Sequence, residues 1–309
     1  MKKNTFISAL FCLYTFFGFA QLPKLEGSTP YIEIETCKSM NLKGAVKSMS
    51  ETSYKATLSN GKYVKGAKGW QYSWDHDNNY QFDAKGNLLL EKEWKDGVWK
   101  TKQTQTFDHL GRLSQSVFYE RKCVYTYDSI GRLKQVTEIN TENNKTIDVH
   151  YIFSNNLVSQ IHFISDKTLY AIEAFQYDQN GNCTAAIYQT NDYKTIDYYT
   201  YNSSNQLIKY VGYEDDDPSE REEIFYTYEG TDLILEKNDA YSEDEKYNEL
   251  IYKYKDGYEI EVIETDLETN EVEKETYTYE FDAQGNWIKK YINDKGKYYI
   301  VERTIVYYP

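Results

Sequence analysis

Along most of this chain, aromatic residues return at every second position with polar residues between them. The runs are Tyr125-Thr126-Tyr127, Tyr199-Thr200-Tyr201, Tyr226-Thr227-Tyr228, Tyr252-Lys253-Tyr254 and Tyr277-Thr278-Tyr279-Glu280-Phe281. Period-two alternation predicts strands with one packed face and one solvated face. Helical periodicity is hard to find beyond the first twenty residues.

Each run ends in turn chemistry. Phe82-Asp83-Ala84-Lys85-Gly86-Asn87-Leu88 has counterparts from Phe107 to Leu113, Tyr127 to Leu133, Tyr177 to Cys183 and Phe281 to Trp287. Weaker copies start at Phe153, Tyr201, Tyr228 and Tyr254, so the nine aromatic starts are spaced by 20 to 27 residues. Asp83, Asp108, Asp128, Asp178 and Asp282 can cap the backbone two residues on, and Gly86, Gly111, Gly131, Gly181 and Gly285 can take positive φ. A type I turn followed by a left-handed glycine closes a hairpin with a bulge. That register sets Tyr127 opposite Leu133, Phe82 opposite Leu88, Phe107 opposite Leu113, Tyr177 opposite Cys183 and Phe281 opposite Trp287. One hairpin cannot cover its own aromatic face, so its neighbour supplies the cover.

The expected fold is all-β. Nine hairpins form an antiparallel meander of about eighteen strands, one large twisted and curved sheet. Its aromatic stripe is expected on the concave side, with acidic residues outside. A small β-propeller, two units to each blade, is the alternative. Asn60-Gly61 predicts a further tight hairpin after a first edge strand around residues 42–54.

These [YF]-D-x-x-G-[NR]-L units resemble the YD repeats of Rhs-type and teneurin-type proteins, and of the shorter secreted YD-repeat proteins of Gram-negative bacteria. The resemblance spans roughly residues 45–309. In the large relatives such repeats wind a sheet into a hollow shell around a toxin domain. This chain is far shorter and has no further domain after Trp287, so the resemblance implies the repeat architecture in a short form without a toxin domain.

Composition narrows the compartment and the partners. Lys2-Lys3, an apolar run from Phe6 to Phe17 and Gly18-Phe19-Ala20 read as a signal peptide, residues 1–20, followed by a leader, 21–41, and a repeat domain, 42–309. The run is too short for a good membrane span, and export to the periplasm, outer surface or medium is expected. Lipidation of Cys12 is the alternative, although that cysteine lies inside the apolar run behind Phe11. Removing the signal takes the formal charge from −14 to −16. Such a chain repels phosphate backbones and anionic lipid, so neither nucleic acid nor a membrane surface is an expected partner. Cys37, Cys123 and Cys183 are too few and too scattered for a disulfide framework.

No nucleophile elbow, HExxH or phosphate loop occurs. His150 and His162 flank the Asn155-Asn156 turn and can face each other, but no third metal ligand is evident. Asp215-Asp216-Asp217 matches no calcium loop. The turn aspartates are copied in every strong unit, whereas an active site needs a unique constellation. The expectation is therefore a non-enzymatic secreted or envelope scaffold without cofactor or metal, presenting a surface to a protein partner. The alternative is a carbohydrate-binding module built on Trp70, Tyr72, Trp74, Trp94 and Trp99. Intact-mass analysis of exported protein should find Gln21 as the first residue. Retention of residues 1–20, or a diacylglycerol mass on Cys12, contradicts this.

Overall fold

A computed structural model of the chain describes residues 36–72 and 77–309. The expected signal peptide and most of the leader lie outside the described residues. The end of the leader docks on the first strong turn: the Cys37 amide donates to the Gly86 carbonyl at 2.8 Å, and Thr36 bridges to Asn87. Cys37, Met49, Phe82 and Leu88 share one small apolar core there.

The described residues contain 21 strands and no helix. From β3 (Asn78–Phe82) to β21 (Lys297–Tyr307) every strand pairs antiparallel with its sequence neighbours. The meander does not stop at an edge. β1 (Val46–Ser59) pairs with β21 from Val46↔Tyr307 to Ala56↔Tyr298, and with β3 from Ser48↔Gln81 to Glu51↔Asn78. The result is a closed barrel of 20 strands. β2 (Lys62–Lys68) lies outside the ring and pairs with the far half of β1. Thus the expected antiparallel meander is present, but the open curved sheet and the propeller are both corrected. No ladder breaks every second unit, and the two ends of the meander meet on β1. Closure removes the unpaired edges that so long a sheet would otherwise expose.

Every strong turn has the expected hydrogen bonds. At the third, Gly131 N–H donates to Asp128 O at 3.1 Å and Asp128 N–H to Arg132 O at 2.8 Å, with Gly131 at φ 92°. Gly86, Gly111, Gly181 and Gly285 also have positive φ, and all five aromatic–apolar pairs form as predicted. Asp128 does more than cap two residues on. Its Oδ1 accepts from Ile130 N–H and Arg132 N–H, and its Oδ2 from Arg132 Nε at 2.7 Å. Asp178 uses Asn180, Asn182 and the Asn182 amide in the same way. In the first four strong units the Asn or Arg at the motif's sixth position donates its side chain to the aspartate, whereas in the fifth the Tyr307 hydroxyl does so and Asn286 turns to Lys43 O.

Successive units are also stapled. The Tyr127 hydroxyl donates to Leu113 O of the preceding unit at 2.8 Å, as Tyr177 does to Val158 O and Tyr228 to Leu207 O. Arg112 lies 4.3 Å from the Tyr127 ring centroid, and Arg132 4.3 Å from that of Phe153.

A second bulge follows every turn. Tyr127 faces Leu133 but Thr126 faces Gln135, so Lys134 is an extra residue. The same slip occurs after all nine turns. Bulges bend a strand and increase its twist, which is what closing a sheet requires. They also shift the phase by one residue. The aromatic stripe is inside, as expected, but Glu91, Asp197, Glu222, Glu236 and Glu259 share that enclosed face. The acidic residues are therefore not confined to the outside.

Two measurements check this architecture. Gly131→Val should destabilise the fold by more than about 1 kcal/mol, because a β-branched residue tolerates positive φ badly; an unchanged melting transition counts against it. Ser50→Cys with Thr304→Cys, opposite each other across β1 and β21, should crosslink on mild oxidation. Peptide mapping that finds no such bridge contradicts closure.

Candidate functional site

Twenty strands enclose more space than their side chains fill, since barrels of 16–18 strands already leave an aqueous channel. The inner face is accordingly not a continuous apolar core. One arc is: Tyr125, Val136, Tyr151, Ile161 and Phe163 are all buried together. The other arc is lined by tyrosines and carboxylates.

On that arc the Tyr210 hydroxyl donates to Asp197 Oδ1 at 2.8 Å. Gly212, opposite Asp197, makes room for this bond, because a side chain there would collide with the Tyr210 hydroxyl. Burial raises the Asp197 carboxyl above its ordinary value, and the Tyr210 bond only partly offsets this. Burial likewise raises Glu222, helped by the charge on Asp197. Glu236 is pushed up to about 7, by burial first and then by Glu222 and Glu259. Glu259 is raised by burial against the pull of Lys290. Desolvation disfavours the charged form of each, and neighbouring carboxylates add to the effect.

The lumen holds a cavity of about 500 Å³ beside β1, β3 and β21, lined in part by Glu51, Tyr72, Glu93, Tyr119, Tyr277 and Lys290. Its carboxylates already have donors. Glu275 accepts from Gln71 Nε2 at 2.7 Å and from the hydroxyls of Tyr72 at 2.9 Å and Tyr277 at 2.6 Å. Glu93 accepts from Tyr119 at 2.8 Å, and Glu51 from Arg303 Nε at 2.6 Å. Lys102 is held by Glu91 at 2.7 Å. The Lys290 ammonium lies 4.0 Å from the Tyr277 ring centroid. Burial lowers its pKa, opposed by the charges on Glu259 and Glu51.

No family model and no curated protein matches this chain. Among solved structures, the TcdB2-TccC3-Cdc42 complex is similar over 82% of this chain and 18% of that one, at 12% identity and TM-score 0.33. The chain thus spans less than a fifth of that relative. A porin-like protein from Bacteroides uniformis is similar over 85% and 98% of the two chains, at 10% identity and TM-score 0.35. One from Bacteroides vulgatus matches over 71% and 97%, at 8% identity and TM-score 0.32. None of these likenesses assigns a family.

Four of the five aromatic residues singled out in the sequence are among the described residues. Trp70 and Tyr72 line the cavity, Trp70 donating to Asp77 Oδ1 at 3.2 Å. Trp94 and Trp99 pair edge-to-face at 5.5 Å near the tip of the hairpin joining β4 (Leu88–Lys95) to β5 (Val98–Phe107). Trp74 lies outside the described residues. His150 and His162 are direct cross-strand partners, and His162 Nε2 bonds Gln160 Oε1 at 2.9 Å. Sequence reading missed Glu236, Glu259 and Lys290. A signal existed: through the second bulge, the residue three after the motif's apolar position points inward, giving Glu91, Val136, Tyr210, Glu236 and Lys290.

Because the Glu236 carboxyl is raised from 4.5 to about 7, the folded state binds its proton more tightly than the unfolded chain. The associated stability is full below about pH 4.5 and is lost as pH rises to about 7. Glu236→Gln should therefore raise the melting temperature at pH 7.5, by an amount worth roughly 1 kcal/mol after allowance for lumen water, and change it little at pH 4. Parallel Tm–pH curves for the variant and the native protein contradict this.

Proposed function

We propose that the chain is a non-enzymatic scaffold whose closed barrel serves as a container, its lumen receiving a polar ligand and its outer wall facing water and a partner protein. The observation that carries this reading is the partly open lumen lined by tyrosines and carboxylates. The polar groups around its cavity are already bonded to one another, an arrangement suited to holding a ligand. The turn aspartates, which the repeat makes conspicuous, are engaged by their own turns.

The outer wall supports an aqueous setting. Lys237 meets Asp239 of its own strand at 3.1 Å and, across adjacent strands, Glu249 at 3.0 Å, while Glu261 takes both Lys253 and Lys274 at 2.6 Å from the strands on either side. A barrel in lipid needs a continuous apolar band about 25 Å tall in the same place. Export rests on the basic, apolar and small-residue pattern of residues 1–20, and kinship with short YD-repeat proteins rests on the repeat motif.

A carbohydrate is the second reading for the ligand, favoured by the aromatic side chains of Trp70, Tyr72 and Tyr119 at the cavity. The test combines fluorescence titration with mass spectrometry, using oligosaccharide and peptide pools. Saturable binding with the ligand recovered intact, by protein that stays soluble without detergent, is the expected result. Chemical conversion of the ligand refutes the non-enzymatic reading, and a requirement for detergent refutes the aqueous one.

A further inference from the structure

We infer that the cavity at Lys290 is a binding site for a singly charged acidic sugar, a hexuronate or a short chain ending in one. This deepens the container reading and rests on it. The starting point is an imbalance among the enclosed cations. Lys102 has Glu91 and Arg303 has Glu51, each within ion-pair distance. Among the described residues Lys290 has no carboxylate at that distance; its ammonium lies over the Tyr277 ring and lines the cavity. An enclosed ammonium with no carboxylate in direct contact lacks what a ligand carboxylate would supply, and a charge-assisted hydrogen bond there is stronger than a neutral one.

The rest of the lining limits the ligand. Glu51 and Glu93 line the same space, and the charge on Glu275 also acts on Lys290. They oppose a phosphate or a polyanion, which would bring two or more charges into an acidic enclosure. One carboxylate matched to one ammonium leaves no such surplus. These carboxylates already hold tyrosine, amide or guanidinium donors, and each oxygen has further lone pairs, so sugar hydroxyls can donate to them. The side chains of Tyr72, Tyr119, Gln71 and Asn78 add the mixed aromatic and amide surface that sugar rings use, and Ile292 and Val301 give it one apolar wall. The volume, about 500 Å³, is within the range of ligand pockets.

Isothermal titration with D-glucuronate, glucose, glycine and inorganic phosphate tests the assignment. Glucuronate should bind saturably and at least tenfold more tightly than the other three. Lys290→Met should abolish that preference while leaving the fold, followed by circular dichroism and melting, in place. If that variant fails to fold, Ile292→Trp, which fills the cavity from its apolar wall, should remove glucuronate binding instead. Glucuronate no tighter than glucose, phosphate as tight as glucuronate, or glycine tighter than either overturns the assignment. So does undiminished binding by a folded Lys290→Met protein. Intact capture of another ligand in the lumen without glucuronate refutes only the acidic-sugar assignment. A lumen that captures nothing from the oligosaccharide and peptide pools refutes the container reading as well.

Discussion

The one residue inserted after each turn governs the rest of this structure. Lys134 is the example: Tyr127 pairs with Leu133, Thr126 with Gln135, and Lys134 has no opposite number. A single bulge bends and twists one strand slightly. Nine of them, at the same place in every unit, curve the sheet consistently enough for β1 to receive both β3 and β21. Each bulge depends on a turn that cannot slip. In the third unit Asp128 holds two amides and the Arg132 side chain, and Gly131 takes the left-handed conformation. A one-residue slip would turn the following strand inside out.

Curvature creates an interior, and the bulge then decides what lines it. Three residues beyond the motif's apolar position the chain points inward, and the sequence places Val136 there in one unit, Tyr210 in another, Glu236 and Lys290 in others. One arc of the wall is thus packed as a core while the other faces a hydrated, acidic space. The two sets of carboxylates are affected in opposite directions. At Asp128, desolvation is outweighed by the donors from Arg132 and Ile130, and its pKa is lowered. At Glu236 burial outweighs the single bond from Asn238, and the pKa is raised. The turn charges hold the fold together above the ordinary range of an aspartate, while the lumen charges oppose it as they ionise.

The outside carries charged residues that pair with one another. Opposite charges meet across neighbouring strands there, as Glu261 does between Lys253 and Lys274. Exposed pairs of this kind contribute little stability individually.

By itself the sequence determined the local structure. The motif specified nine hairpins, the left-handed glycines and the partners Tyr127–Leu133 and Phe281–Trp287, because turn chemistry acts within seven residues and needs no distant contact. It also gave the inward direction of the aromatic stripe. The tertiary structure decided closure, since the meeting of β1 with β21 joins Glu51 to Arg303 across most of the chain and no local pattern signals it. It decided that Trp70 lines the cavity and that Trp94 pairs with Trp99 on the β4–β5 hairpin. It also decided that Glu236 and Lys290 face the lumen. Simple alternation from Leu233 or Trp287 assigns them to the outside, and only the inserted residue, visible once both strands are paired, reverses that assignment.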